Sequence, residues 1–385
     1  MTGIDETLLA DGDALTAADP SGVLRALAGA GAQVREAVDL TTAAGVDRLA
    51  EEGRPRSVVV AALGGASSVA DVLLSLAGRG CPVPVVVRRG GPLPSWVGPL
   101  DLVVAVSVSG RAPGPVGLAV EAARRGARVV TVGAEGSPLA EVGARGGNLH
   151  VPPARGVRAD GSAVRSSRFA LWSLLTPVLL AADALDLVQA PAGLLGQVAD
   201  RLDTEAETCR PWSEPFVNPA KALALELAGT VPVVLADGDL MAAAARRSAS
   251  VLARTARVPA VSGALPDDAG DVVSTFGGPF SAGPDDVFAD PFLDGPAGPR
   301  EQLLLLRDAP AVVPDADLAL VEAVATTAGE AGVRVSEVVA EPGPDLARLA
   351  QVVARTDYAA TYLALASGTD PGQSPHLAEL RDRTG

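Results

Sequence analysis

Two short turns rich in glycine and serine are the part of this chain best suited to bind an anion. Residues 64–68 read Gly-Gly-Ala-Ser-Ser, and residues 107–110 read Ser-Val-Ser-Gly. Glycine lets the backbone approach a ligand, serine hydroxyls donate to phosphate oxygens, and the N-terminus of a following helix adds N–H donors and positive potential. The candidate phosphate-binding residues are therefore Gly64, Gly65, Ser67, Ser68, Ser107, Ser109 and Gly110.

An ordinary structural role explains these residues equally well at this point. Glycine and serine are common turn formers and helix caps, so their spacing alone does not separate a phosphate cradle from two plain turns. The elements that carry the turns matter more, because doubly wound sheets bind ligands beyond the carboxyl ends of their strands.

Apolar runs rich in β-branched residues alternate with helical patterns in two parts of the chain. This alternation predicts βαβ units and parallel sheets that are covered on both faces. The predicted strands are 57–63, 83–87, 102–106, 128–132 and 148–151 in the first part, and 231–236, 258–262, 302–307 and 333–338 in the second. The two Gly-Ser turns follow the first and third of these strands. If these strands are parallel neighbours, both turns lie at the carboxyl edge of the sheet.

The same patterns divide the 385 residues into five segments, a length that suits two lobes. We expect an N-terminal helical segment (1–52), a first sheet subdomain (53–155), connecting helices (156–228), a second sheet subdomain (229–340) and C-terminal helices (341–385). Within them, one helix is expected from residue 21 to residue 52, and a loop rich in Gly, Pro and Asp over 264–299.

The charge and composition exclude several classes of partner. A net charge of −15 disfavours nucleic acid and anionic membranes. The two cysteines lack metal-ligand spacing and predict neither a disulfide framework nor a metal site. The N-terminus shows no signal-peptide pattern and no apolar run is long enough to span a bilayer, so we expect a cytoplasmic protein.

The order of motifs resembles that of the bifunctional phosphoglucose/phosphomannose isomerases, which are built from two sugar isomerase (SIS) domains. That family has a Gly-Gly-Ser turn after its first strand and a Ser-Tyr-Ser-Gly-Asn-Thr turn after its third. The likeness continues through residues 121–130, 166–171, 218–224 and 362–371 of this chain. The segment 166–171 matches a Pro-Arg-x-Ala-Leu motif whose arginine lies in the family's active site, which adds Arg168 to the candidate phosphate-binding residues.

This resemblance implies a fold, a ligand and an assembly. The expected fold is α/β, with two SIS-type, flavodoxin-like subdomains joined by helices, each a parallel sheet with helices on both faces. The expected ligand is a sugar phosphate, the expected reaction is aldose–ketose isomerisation among glucose 6-phosphate, mannose 6-phosphate and fructose 6-phosphate, and the expected assembly is a homodimer. No cofactor and no metal are implied.

The chain departs from the family at its catalytic positions. Arg111-Ala112 replaces the Asn-Thr of the serine turn, and Arg254 stands where the family has its catalytic glutamate. Residues 266–270 contain no histidine, and Arg381 replaces the C-terminal catalytic lysine. A guanidinium stays protonated and cannot act as the base that isomerisation needs.

The catalytic residues are therefore left open by the sequence. The candidates are His376, Arg254 and Arg381, together with three acidic side chains of the second subdomain, Asp267, Asp268 and Asp271. An exposed, solvated role is the simpler interpretation of the three aspartates and of His376. Two main functions remain: an isomerase with altered catalytic residues, and a protein that binds a sugar phosphate as a sensor or regulator without turning it over. A weaker alternative is a structural partner in a complex, which would not be stabilised by any sugar phosphate.

Overall fold

A computed structural model of the chain describes residues 4–51, 53–78, 80–154, 168–281 and 299–384. Its α-helices are α1 (Glu6–Ala10), α2 (Gly12–Ala17), α3 (Val23–Ala28), α4 (Ala30–Ala43), α5 (Arg48–Glu51), α6 (Ser67–Ala77), α7 (Pro113–Arg124), α8 (Pro138–Gly143), α9 (Leu171–Ala184), α10 (Ala192–Thr208), α11 (Pro219–Leu227), α12 (Gly238–Val251), α13 (Ala269–Thr275), α14 (Asp315–Glu330), α15 (Asp345–Ala366) and α16 (Pro375–Thr384).

The strands fall into two groups along the chain. They are β1 (Val58–Ala62), β2 (Val85–Arg88), β3 (Leu102–Ser107), β4 (Arg128–Gly133), β5 (Leu149–Val151), β6 (Thr230–Asp237), β7 (Val261–Leu265), β8 (Arg300–Arg307) and β9 (Arg334–Val339). The residues form two compact units, one of residues 28–203 and one of residues 1–27 with 204–385.

The first unit contains a five-stranded parallel sheet in the order β2-β1-β3-β4-β5. Every residue of β1 and β3 is buried, as expected for strands with helices on both faces. On one face, α7 and α8 pack on Val59, Val103 and Val129. On the other face, α6 and α9 pack on the alternate residues, Val58 and Val104 among them.

The second unit contains a four-stranded parallel sheet in the order β7-β6-β8-β9. One face carries Leu235, Leu303 and Leu305, which pack against α13 and α14. Helix α12 lies against β6 and β7, and the long helix α15 packs on both α11 and α12. The expected fold, two parallel sheets each with helices on both faces, is confirmed.

Two buried cations hold helices of the second unit in place. Lys221, in α11, is fully buried and donates to the backbone carbonyls of Leu9, Pro211 and Ser213. Arg247, in α12, is 4% exposed and forms a bidentate ion pair with Asp357 of α15. Both side chains therefore serve the packing of helices.

Three expectations about the elements were wrong in detail. Residues 21–52 form three helices, α3 to α5, instead of one. Strand β7 begins at Val261, three residues later than predicted, because Pro259 cannot donate to a sheet ladder. Part of the predicted 264–299 loop is ordered as the end of β7 and helix α13, while residues 282–298 lie outside the described part.

The longest helix of the described part of the chain, α15, has 22 residues and carries charged side chains at positions 345, 348, 355 and 357. None of the described helices combines the length and apolarity that crossing a bilayer requires.

Candidate functional site

The two Gly-Ser turns lie next to each other at the carboxyl edge of the first sheet. β1 and β3 are hydrogen-bonded neighbours, with Ala62 beside Val106, and adjacent strands are about 4.8 Å apart. Helices α6 and α7, which follow these strands, pack on opposite faces of the sheet. The strand order therefore reverses between β1 and β3, which is where doubly wound sheets open a crevice for a ligand.

The turn after β1 leaves open space for a ligand. Gly64 is exposed and adopts a left-handed conformation (φ 65°), and a side chain added there would meet no atom within 4 Å. A short 3₁₀ turn, Gly64–Ala66, leads into α6, whose first residues are the half-buried Ser67 and the buried Ser68. Ala66, at the N-cap of α6, provides no side-chain hydrogen bond, so the positive end of the helix is left uncapped.

The turn after β3 is held by its own serines. Ser107 is buried, and its Oγ accepts a hydrogen bond from the backbone N–H of Ala112 at 3.4 Å. Ser109 is exposed, and its Oγ accepts from the N–H of Arg111 at 3.3 Å. Each hydroxyl keeps its own proton, which it can donate to an anion.

A third turn, which the sequence prediction missed, supports the second. Gly110 has φ 65° and lies against the hydroxyl of Ser137, leaving no room for a side chain. Gly133, at the end of β4, packs on the carbonyl of Ser107 and on Gly110. Ser137 itself caps α8 by accepting from Ala140 N. The Ser-Pro pair at 137–138 is the sequence signal for this cap. Through its contact with Gly110, Ser137 helps to position the turn at residues 107–110.

Arg168 lies at the same edge of the sheet. The C-terminal half of α9 packs near Val58, at the start of β1, while its Ser173 hydroxyl accepts from Ala154 N, just past the end of β5. Helix α9 therefore runs antiparallel to the strands and begins at their carboxyl edge, where it also contacts residues 64–66. Arg168, three residues before α9, is 3% exposed with its guanidinium over the Phe169 ring.

The candidate catalytic residues lie in the other compact unit. Arg254 is half-buried in a π-helical turn, Leu252–Ala256, and its carbonyl accepts from Ser374 Oγ at 3.3 Å. His376 lies two residues after Ser374. Its side chain is 93% exposed, and its Nδ1 lies 3.7 Å from Oε2 of Glu379. Arg381 belongs to α16, but its side chain is outside the described part of the structure.

The three aspartates of residues 267–271 separate into two roles. Asp267 and Asp271 are exposed, in agreement with a solvated surface. Asp268 accepts from the N–H of Ala264 at 2.7 Å and so fixes the turn after β7. In the described part of the chain, no group of three His, Cys, Asp or Glu side chains is arranged to hold a metal ion.

Asp237 is the titratable group that the sequence prediction missed. It ends β6 and its Oδ1 accepts from the N–H of Asp308, which follows the neighbouring strand β8. Its Oδ2 is buried and has no hydrogen-bond partner in the described residues. Burial raises the pKa of Asp237 to about 7, against the opposing effect of the hydrogen bond from the Asp308 N–H. The carboxylate of Asp308 is in turn paired with Arg348.

The two parallel sheets, their strand orders and the turns at their carboxyl edges form the fold expected for two SIS-type subdomains. Residues 216–384 match the family model of the bacterial phospho-glucose isomerase C-terminal SIS domain. Over this part of the chain, the match confirms the resemblance drawn from the motifs.

Solved structures share the fold over most of the chain. Hypothetical protein TT0462 of Thermus thermophilus is 16% identical with a TM-score of 0.67, covering 94% of this chain and 90% of its own. A protein of Silicibacter pomeroyi assigned as a phosphosugar isomerase is 20% identical with a TM-score of 0.60, covering 91% and 99%. A protein of Clostridium difficile with the same assignment is 9% identical with a TM-score of 0.64, covering 94% and 98%.

At these identities the likeness shows the fold alone. A comparison with curated proteins finds no match. The ligand and the reaction are therefore argued from the residues of the site.

Proposed function

We propose that this chain binds a phosphorylated sugar at the carboxyl edge of its first sheet. The observation that carries the proposal is the convergence of two Gly-Ser turns at the point between β1 and β3 where the strand order reverses. The uncapped end of α6 and the hydroxyls of Ser67, Ser107 and Ser109 would hold the phosphate, and Arg168 lies at the same edge. The space above Gly64 gives the ligand access.

Two functions use such a site, and different observations favour each. The match of residues 216–384 to the phospho-glucose isomerase domain favours interconversion of glucose, mannose and fructose 6-phosphates. The arginine at position 254 and the exposed His376 favour a sensor or regulator that binds without turnover. We also propose a homodimer, on the family resemblance; size-exclusion chromatography with light scattering tests it.

Binding is tested by replacing the serines of the turn after β3. A hydrogen bond from a hydroxyl to a charged phosphate contributes about 1.5–3 kcal/mol, so Ser107→Ala should weaken binding of glucose 6-phosphate about tenfold or more. Thermal stabilisation of the full chain by the sugar measures this, because a ligand that binds the native state raises the melting temperature. Ser274→Ala, at an exposed serine of α13, is the matched control.

A coupled assay with the same sugars separates the two functions. Turnover of fructose 6-phosphate that falls in Ser107→Ala supports an isomerase, and stabilisation without turnover supports a sensor. Stabilisation that is equal in wild type and Ser107→Ala, or absent with all three sugars, would overturn the proposal.

A further inference from the structure

The helix that follows the second serine turn has few backbone donors to offer an anion. The first three residues of α7 are Pro113, Gly114 and Pro115. Because proline has no N–H, Gly114 alone keeps one among these three positions, and Ala112 at the N-cap makes no side-chain hydrogen bond. At the start of α7, side chains are therefore the main source of donors for an anion.

Three arginines surround the start of this helix. Arg111 is exposed in the serine turn itself, while the exposed Arg88 and Arg89 lie at the end of β2, the strand on the other side of β1. In the described residues, none of the three guanidinium groups has a carboxylate partner. Arg35 of the same unit, in contrast, is paired with Asp200 and Asp203.

Backbone contacts bring the positions of these arginines to the start of α7. The carbonyl of Arg89 packs directly on Gly114, two residues past the N-cap of α7, and leaves no room for a side chain there. Arg88 is the register partner of Ala61, which faces α7, so the side chain of Arg88 leaves the sheet on the α7 side. Arg111 lies three residues before Gly114.

The charges exceed what one phosphate requires. Three guanidinium groups carry three positive charges, whereas a phosphate monoester carries about −1.5 to −2 at neutral pH. That phosphate already has the serine hydroxyls and the uncapped end of α6. In a chain with a net charge of −15, an unbalanced positive patch at one crevice points to a ligand with more negative charge.

We infer that the ligand of this crevice carries a second anionic group, a carboxylate or a second phosphate, which Arg89 and Arg111 bind with support from Arg88. This inference rests on the proposed sugar-phosphate site and specifies its substrate class. Arginine suits the role because its planar guanidinium binds carboxylate and phosphate with two parallel hydrogen bonds.

Isothermal titration calorimetry of the full chain tests this with two pairs of probes. Glucose 6-phosphate is compared with 6-phosphogluconate, which adds a carboxylate, and fructose 6-phosphate with fructose 1,6-bisphosphate, which adds a phosphate. In each variant the affinity ratio within a pair is measured. The wild type should bind the probe with the second anionic group about tenfold more tightly in at least one pair, since charge-assisted bonds are the stronger class.

The double variant Arg89→Ala/Arg111→Ala should bring that ratio to about one while leaving the affinity for glucose 6-phosphate within about threefold. Arg334→Ala, at an exposed arginine of β9, is the matched control and should keep the wild-type ratio. The pair that shows the ratio identifies the second group as carboxylate or phosphate.

The outcomes distinguish this inference from the proposal it rests on. Affinity ratios near one in the wild type, or a ratio that persists in Arg89→Ala/Arg111→Ala, would overturn the inference of a second anionic group. The proposal of sugar-phosphate binding would then still stand. Absence of binding by all four probes overturns the proposed function and the inference together.

Discussion

Replacing Asp237 should remove a specific dependence of stability on pH. The Asp237 carboxyl is buried at the end of β6, and its pKa is raised to about 7, against an ordinary value of about 3.9 in an unfolded chain. Between these values the native protein keeps a proton that the unfolded chain releases. The free energy of unfolding therefore falls as the pH rises through this window, and the loss is complete above pH 7.

The size of the effect follows from the pKa difference. A shift of about three units at about 1.4 kcal/mol per unit gives a loss of about 4 kcal/mol between pH 4 and pH 7. Asp237→Asn keeps an oxygen to accept from Asp308 N and carries no charge at any pH. Arg307 and Arg348 keep their charge in both proteins over this pH range, so they do not add to the difference.

Urea unfolding of both proteins at pH 4.5, 6.0 and 7.5 measures this difference. The free energy of unfolding of Asp237→Asn, minus that of wild type, should increase by about 3 kcal/mol from pH 4.5 to pH 7.5, because wild type loses stability and the variant does not. The increase is smaller than about 4 kcal/mol because part of the loss has already occurred at pH 4.5. Asp267→Asn, at an exposed carboxylate, reports the effect of losing one surface charge. A difference between Asp237→Asn and wild type that stays constant with pH would refute the reasoning.

Two further predictions concern packing. Arg247→Met should lower the free energy of unfolding by about 3–5 kcal/mol, because it leaves the Asp357 carboxylate buried without its partner. The double variant Arg247→Met/Asp357→Leu should recover most of this loss. An unchanged melting temperature in the single variant would contradict the prediction. Gly133→Ala should weaken thermal stabilisation by glucose 6-phosphate, because the added Cβ would lie 2.7 Å from the carbonyl of Ser107. Gly193→Ala is the control, because nothing lies within 4 Å of an added Cβ there, and it should bind as wild type does. Equal binding by the two variants would count against the role of Gly133.

The fold could be predicted because its signals are local. Valine-rich runs of about five or six residues, separated by helical patterns, predict buried parallel strands without knowledge of the tertiary structure. The shift at β7 comes from neglecting Pro259 inside the predicted run, and α13 was missed because the Gly- and Asp-rich composition around it resembles a loop.

The site could be predicted only in part, because some of its features depend on strand order. The serine turns are identifiable from the sequence as glycine- and serine-rich ends of strands. Arg89 packs on Gly114 because β2 lies beside β1. Asp237 lies next to Asp308 because β6 lies beside β8. No local pattern brings such distant positions together, since only the order of strands in the folded sheet does so.

The burial of Lys221 determines which reagents can modify this protein. It is the chain's single lysine, and its amine is enclosed by three carbonyl oxygens in the folded state. Amine-directed cross-linkers and fluorophores will therefore find no exposed lysine side chain to modify in the native protein. Mapping an assembly of this chain by cross-linking requires reagents that couple carboxylates, which its 46 aspartate and glutamate residues supply.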